Sequence, residues 1–166
     1  MSSNMYLKFE NPTIAGSSTA PQHEGEIEVL SWSHGFVQPT SPTRVEAGSG
    51  TAEQAVHQNL TFTKYVDSSM HELLKICWSG KQIGKATLRC FRSGAAPGDP
   101  AVEYLTVAME HVVISNYSIS GGPGEVPLEN VSLDYGIVQY VYRDQKTNPA
   151  GDRARARHDL ERRKVE

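Results

Sequence analysis

Cysteine is scarce: only Cys77 and Cys90 occur in 166 residues, too few for a disulfide framework. Each falls in a patterned stretch and reads as a small buried hydrophobe. Long apolar runs are also missing. Nothing approaches the ~20 consecutive apolar residues of a membrane-spanning helix, so no membrane insertion is expected. Positive charge is not in excess, with a formal net charge of −3 and an isoelectric point near 6.1. That balance argues against nucleic acid as a partner. The opening Met1-Ser2-Ser3-Asn4-Met5 lacks a basic segment followed by an apolar one, so no ordinary signal peptide is read there. Synthesis and folding in a reducing cytoplasm are expected, as one domain with room for a real core. Neither a βαβ rhythm nor an internal repeat nor a low-complexity tract is present.

What is present is mostly strand, organised around one helix. Met70, Leu73, Leu74, Cys77 and Trp78 recur at the spacing of a single apolar stripe, which predicts a helix over about 69–79. Ser69 and Glu72 read as a capping box, and Gly80 as the left-handed residue that ends the helix. A helix this short is marginal alone and needs a larger surface to pack on. Strands are expected at Met5 to Glu10, Glu26 to Gln38, Gln54 to Val66, Lys85 to Arg92, Val102 to Ser115 and Val131 to Val141. Ile27 and Val29 fall out of phase with Leu30 and Trp32, and a second phase switch occurs near Glu110; each implies a bulge or burial on both faces. Ala86, Leu88 and Cys90 alternate with Lys85, Thr87 and Arg89. Pro39 to Gly50 is a long loop. The fold class is therefore mainly β, an antiparallel barrel or sandwich with one flanking helix. Residues 1–143 form its body and 144–166 a polar tail. Between Asp152 and Glu166 the tail carries six basic residues against four acidic ones, on an otherwise acidic chain.

A search for catalytic chemistry finds little. The six histidines are scattered with no metal-ligand spacing, so no metal or cofactor is expected. Gly48-Ser49-Gly50 is no nucleophile elbow, and Gly121 to Gly124 has no phosphate-loop context. Glu110 and His111 are strand neighbours that point to opposite faces and make no dyad. Trp32 and Trp78 are expected in the core. No enzyme activity is expected.

Several segments together resemble the haemolysin-coregulated proteins, tube subunits of bacterial type VI secretion. They are Glu26-Ile27-Glu28-Val29-Leu30-Ser31-Trp32-Ser33-His34-Gly35, Leu60-Thr61-Phe62-Thr63-Lys64-Tyr65-Val66-Asp67, Tyr104-Leu105-Thr106-Val107 and Glu129-Asn130-Val131-Ser132-Leu133, in the family's order. The ending His158-Asp159-Leu160-Glu161 is similar to the family's Trp-Asp-Leu close, with His in place of the aromatic. Departures are local: Met70 where the family often has Pro, His34 where it often has an aromatic, and the arginine-rich run.

The resemblance implies a homo-hexamer, closing as a ring, and rings stacking into a hollow tube. It also implies a contractile sheath and baseplate around that tube, a VgrG-like spike at its tip, and small effector proteins carried in the lumen. Export by that route follows a cytoplasmic stage and needs no signal peptide. Arg44, Glu46, Gly94, Glu161 and Arg162 are the candidate ring-stacking residues; Lys85, Thr87 and Arg89 are candidates for the lumen wall. Ordinary solvation accounts equally well for the charged ones. Two other readings stay open: a phage-type tail tube subunit, and a monomeric β-sandwich that binds a ligand.

Overall fold

Strand β8 (Val102–Ser120) is long enough to serve two sheets, and the fold is built along it. The computed structural model describes residues 4–39, 54–94, 97–143 and 153–166. Before β8 come β1 (Met5–Glu10), β2 (Ile27–Glu28), β3 (Ser31–Ser33), β4 (Phe36–Val37), β5 (Val56–His57), β6 (Leu60–Tyr65), α1 (Met70–Ser79) and β7 (Ile83–Arg92). After it come β9 (Leu128–Asp134), β10 (Ile137–Arg143), β11 (Arg153–Asp159) and β12 (Lys164–Val165). The first half of β8 lies between β7 and β10 in a main sheet ordered β12-β11-β10-β8-β7-β1-β2. Its second half pairs with β9, which continues through β6 to β3. All these pairings are antiparallel.

The phase switch expected near Glu110 is a real irregularity. His111 takes a left-handed φ of 54°, and the buried positions step from Val107 and Met109 to Val112 and Ile114. This kink lets one strand turn from the main sheet into the second. The switch at Ile27 to Trp32 has a different cause. The single strand expected over Glu26 to Gln38 is three short ones, because the chain crosses from β1 to β6 and then to β5. Val56 is likewise parted from Leu60 and Phe62 and is 55% exposed. The strand expected over Val131 to Val141 breaks at Tyr135-Gly136, and Val141 lies on the face opposite the core, in line with Arg155.

Between the sheets sits the core. Leu7 and Phe9 on β1, Ala86, Leu88 and Cys90 on β7 and Val107 and Met109 on β8 face Leu60, Phe62, Val131 and Leu133 across it. Leu73 and Ile76 of α1 seal one side. The helix ends at Gly80, whose φ of 66° is the expected left-handed cap. Two details of the helix differ from the sequence reading. Trp78 is 76% exposed, because the buried stripe runs through Ile76 instead. Ser69 makes no side-chain cap; its hydroxyl donates to Asp67 Oδ1, which also accepts the Ser69 backbone N–H at 2.9 Å. A carboxylate two residues upstream outcompetes the helix's own N–H groups for that hydroxyl.

One rung of the second sheet is charged. Leu60, Phe62 and Lys64 point inward from β6 and pair with Leu133, Val131 and Glu129 of β9. Lys64 and Glu129 are fully buried and form an ion pair. Around them, Tyr117 donates its hydroxyl to Glu129, and Lys64 Nζ donates to Asp67 Oδ1 at 2.9 Å and to the Tyr65 carbonyl at 3.1 Å.

Candidate assembly surfaces

With one face of the main sheet committed to the core, the opposite face is free to vary in chemistry. Rows of partners cross five strands there. Lys8, Thr87, Ala108, Gln139 and Arg157 make one row, flanked by Glu10, Lys85 and Glu110 on one side and by Tyr6, Arg89, Thr106, Val141 and Arg155 on the other. Lys85, Thr87 and Arg89 thus stand together at alternate positions of β7, half-buried, with their backs to Ala86, Leu88 and Cys90. The surface is polar and of mixed sign. Arg157 lies 3.9 Å from Glu110 and 3.4 Å from Glu166. Towards β1 a loop covers part of it. Arg89 pairs with Glu26, which also meets His23 at 3.3 Å, and the His23 ring stacks on Tyr6 at 4.2 Å.

The candidate stacking residues fall at opposite ends of this sheet. At one end β11 stops at the buried Asp159, whose Oδ1 accepts the Arg162 N–H at 3.0 Å. The Leu160 N–H donates to the Gly136 carbonyl at 2.9 Å, and Glu161 meets His111 at 2.6 Å. That hydrogen bond and the Glu161 charge raise the His111 pKa. The Arg162 side chain is 85% exposed. Gly94 follows β7 at the other end, beyond the Arg92–Val102 rung, while Glu161 and Arg162 follow the rung through Glu110. About eight residues of β8 separate those rungs, or roughly 26 Å. Gly94 is close-packed, since a Cβ there would stand 2.3 Å from Asp99 Cβ. Arg44 and Glu46 lie outside the described residues.

A third feature escaped the sequence reading. His34, His57 and His158, far apart in the chain, meet two tyrosines where the β4–β5 ribbon lies on the main sheet. Tyr140 Oη lies 2.5 Å from His34 Nδ1, and His34 Nε2 is 2.7 Å from Tyr135 Oη. Tyr135 Oη is 2.7 Å from His57 Nδ1, and His57 Nε2 is 2.7 Å from His158 Nδ1. Phe36 packs against His34, His57 and Tyr140. Beside the cluster lies a pocket of about 300 Å³ with an almost wholly apolar wall that includes Phe36, Val138, Ala156 and Val165. Burial, opposed by a Gln58 backbone hydrogen bond and reinforced by His57, holds His34 down at about 4. Burial and then the neighbouring His158 lower His57. Burial pushes Tyr140 up to about 12 and raises Tyr135 further. Among the described residues, no three His, Cys, Asp or Glu side chains are grouped to hold a metal ion.

Comparison with known proteins decides the family. The profile described as "Type VI secretion system effector, Hcp" matches residues 6–142. The chain belongs to the Hcp family. Protein hcp1 of Pseudomonas aeruginosa is 37% identical over 153 residues, covering 92% of this chain and 90% of that protein. Hcp1 of Salmonella typhimurium superposes with a TM-score of 0.77 at 28% identity over the whole of both chains. Hcp2 of the same organism gives a TM-score of 0.69 at 26% identity, covering 96% of this chain and 98% of that one. Membership places this Hcp-family chain among the tube and effector proteins of type VI secretion, a structural and secreted family. Its homologues leave the cell by that system. Among the described residues, no helix is long and apolar enough to cross a membrane.

Proposed function

We propose that this Hcp-family chain is the tile of a hexameric ring, and that rings stack head to tail into a tube which a contractile sheath, assembled on a baseplate, expels behind a VgrG-like spike. The polar outer face of the main sheet lines the lumen, with Lys85, Thr87 and Arg89 on the wall and small effector proteins as cargo. One observation carries this reading: a single sheet gives one face to the core, keeps a polar face of mixed sign, and ends in two chemically unlike rims. Unlike rims suit a heterologous, head-to-tail contact, in which one surface meets a different surface of the next copy. The two ends are Gly94 with its turn, and Glu161 with Arg162. A wall of mixed sign and modest apolar content holds varied cargo without binding any one tightly. The tile makes and breaks no covalent bond.

Two measurements test it. Native mass spectrometry and electron microscopy of the purified protein are expected to show a six-membered ring with a central hole; isolated monomers overturn the ring. Paired cysteines then test the rims. Gly94 is a poor site because Asp99 blocks its Cβ, so Ser93→Cys, at an exposed neighbour, is combined with Arg162→Cys in a Cys77→Ala background. An oxidant-dependent ladder of rings is expected. Intact rings that give no ladder reject these rims and leave the ring standing.

A further inference from the structure

Among the described residues, β4 and β5 pair only with each other, so the ribbon's attachment to the main sheet rests on side chains. The chain Tyr140–His34–Tyr135–His57–His158 is the hydrogen-bonded part of that attachment, beside the packing of Phe36 on Tyr140. His34 precedes β4 and His57 ends β5, while the other three groups stand at the end of β9, on β10 and on β11. Four hydrogen bonds join the five groups, and with every group neutral one proton serves each bond in a single direction. Tyr140 donates to His34, His34 to Tyr135, Tyr135 to His57 and His57 to His158; the reverse direction closes equally well. An added proton breaks this economy. It leaves a tyrosine hydroxyl without an acceptor, or it sets two N–H groups face to face between His57 and His158.

The surroundings do not welcome positive charge. Arg157 of β11 lines the adjoining pocket, and its acidic partners Glu110 and Glu166 are engaged with it. Asp134, at the end of β9, accepts the Tyr135 backbone N–H at 2.9 Å. His34 and His57 bond to tyrosine hydroxyls, to His158 and to the backbone at Gln58, none of them a carboxylate.

We propose that this five-membered chain is an acid-released latch, closed while His34 and His57 are neutral and opened when they are protonated, with the β4–β5 ribbon as the part set free. Opening lifts Phe36 off Tyr140 and bares the apolar pocket beside it. The sign follows from linkage. An imidazole held at about 4 when closed returns to about 6.5 when open, so opening takes up protons and is favoured as pH falls from 6.5 towards 4. His34 alone makes opening about 20-fold more favourable at pH 5 than at pH 7.

The test is hydrogen–deuterium exchange on the full-length protein at pH 7.5 and pH 5.0, with protection corrected for intrinsic exchange rates. Protection of the Val37, Val56 and Gln58 amides, the donors of the β4–β5 ladder, is expected to fall ten-fold or more at pH 5.0, while β7 and β8 hold theirs. In His34→Gln/His57→Gln/His158→Phe, checked for native secondary structure by circular dichroism, the pH-dependent part of the loss disappears. Equal protection of the wild type at both pH values overturns the latch, and so does an undiminished loss in the variant. If the triple variant does not fold, NMR titration of the wild-type imidazoles decides. A His34 that titrates near 6.5 with the ribbon still protected overturns the proposal; one that titrates together with ribbon opening supports it.

Discussion

The buried rung formed by Lys64 and Glu129 gives a sharp test of how this core is held. Two charges taken out of water cost several kcal/mol each, and their attraction and remaining hydrogen bonds offset that cost only while both are present. Removing one partner should therefore cost about 3–5 kcal/mol, and the structure says which removal is worse. Glu129→Leu leaves the ammonium with Asp67 at 2.9 Å and the Tyr65 carbonyl at 3.1 Å, so its cost falls at the low end. Lys64→Met leaves Glu129 with only the Tyr117 hydroxyl and takes a donor from Asp67, so its cost falls at the high end. The double variant Lys64→Met/Glu129→Leu restores an apolar rung beneath Phe62–Val131. It should cost well under half the sum of the singles, a coupling of about 3 kcal/mol or more. Urea unfolding at one fixed protein concentration measures this, because any assembly adds a concentration-dependent term. For a chain of this size each kcal/mol moves the melting temperature by ~2–4 °C, so the worst single variant should lose more than 10 °C. Additive single costs would refute the reasoning, since they would mean that neither charge depends on the other.

Three further outcomes are expected. Gly80→Ala should cost about 1 kcal/mol in thermal unfolding, from the φ of 66° alone, because space around that Cβ is open. Leu73→Ala should cost ~2–5 kcal/mol, whereas Trp78→Ala, at a position 76% exposed, should leave monomer unfolding within about 0.5 kcal/mol. Burial pushes the Asp67 carboxyl upward, but hydrogen bonds from Ser69 and Lys64 and the Lys64 charge outweigh it and leave the pKa below its ordinary value of 3.8. A depressed carboxylate stabilises above its unfolded pKa and loses that contribution as pH drops through the folded one; Asp67→Asn should therefore flatten the loss of stability below about pH 4.

The alternation of Ala86, Leu88 and Cys90 against Lys85, Thr87 and Arg89 was legible because period two is a local signal, and β7 keeps it from Lys85 to Cys90. The kink near Glu110 was legible for the same reason: a change of phase marks the place where the backbone must change direction. Phase alone does not say which strand comes next, so Glu26 to Gln38 read as one strand where the chain visits three partners. Lys64 and Glu129 left a trace in the sequence. Each continues an inward-facing alternation, after Leu60 and Phe62 and before Val131 and Leu133. Reading charge as solvent-facing hid them. The histidine cluster left almost none, because His57 and His158 meet across 101 residues of chain. Only the departures from the family's pattern at His34 and His158 pointed there, and both positions take part in the same chain of hydrogen bonds.

Those two departures bear on how such a tile is stabilised. An aromatic ring at either position fills space and asks nothing of pH, whereas an imidazole fills the same space on condition that it stays neutral. The second sheet makes the opposite choice, burying full charges and satisfying them among Lys64, Glu129, Asp67 and Tyr117. One polar network is locked by charge and the other is closed by its absence. Acid in the range from 6.5 to 4 bears on the histidine chain well before it reaches Asp67, whose pKa is depressed. The core sheet therefore stays intact while the ribbon loosens, which separates the part that holds the tile together from the part free to respond.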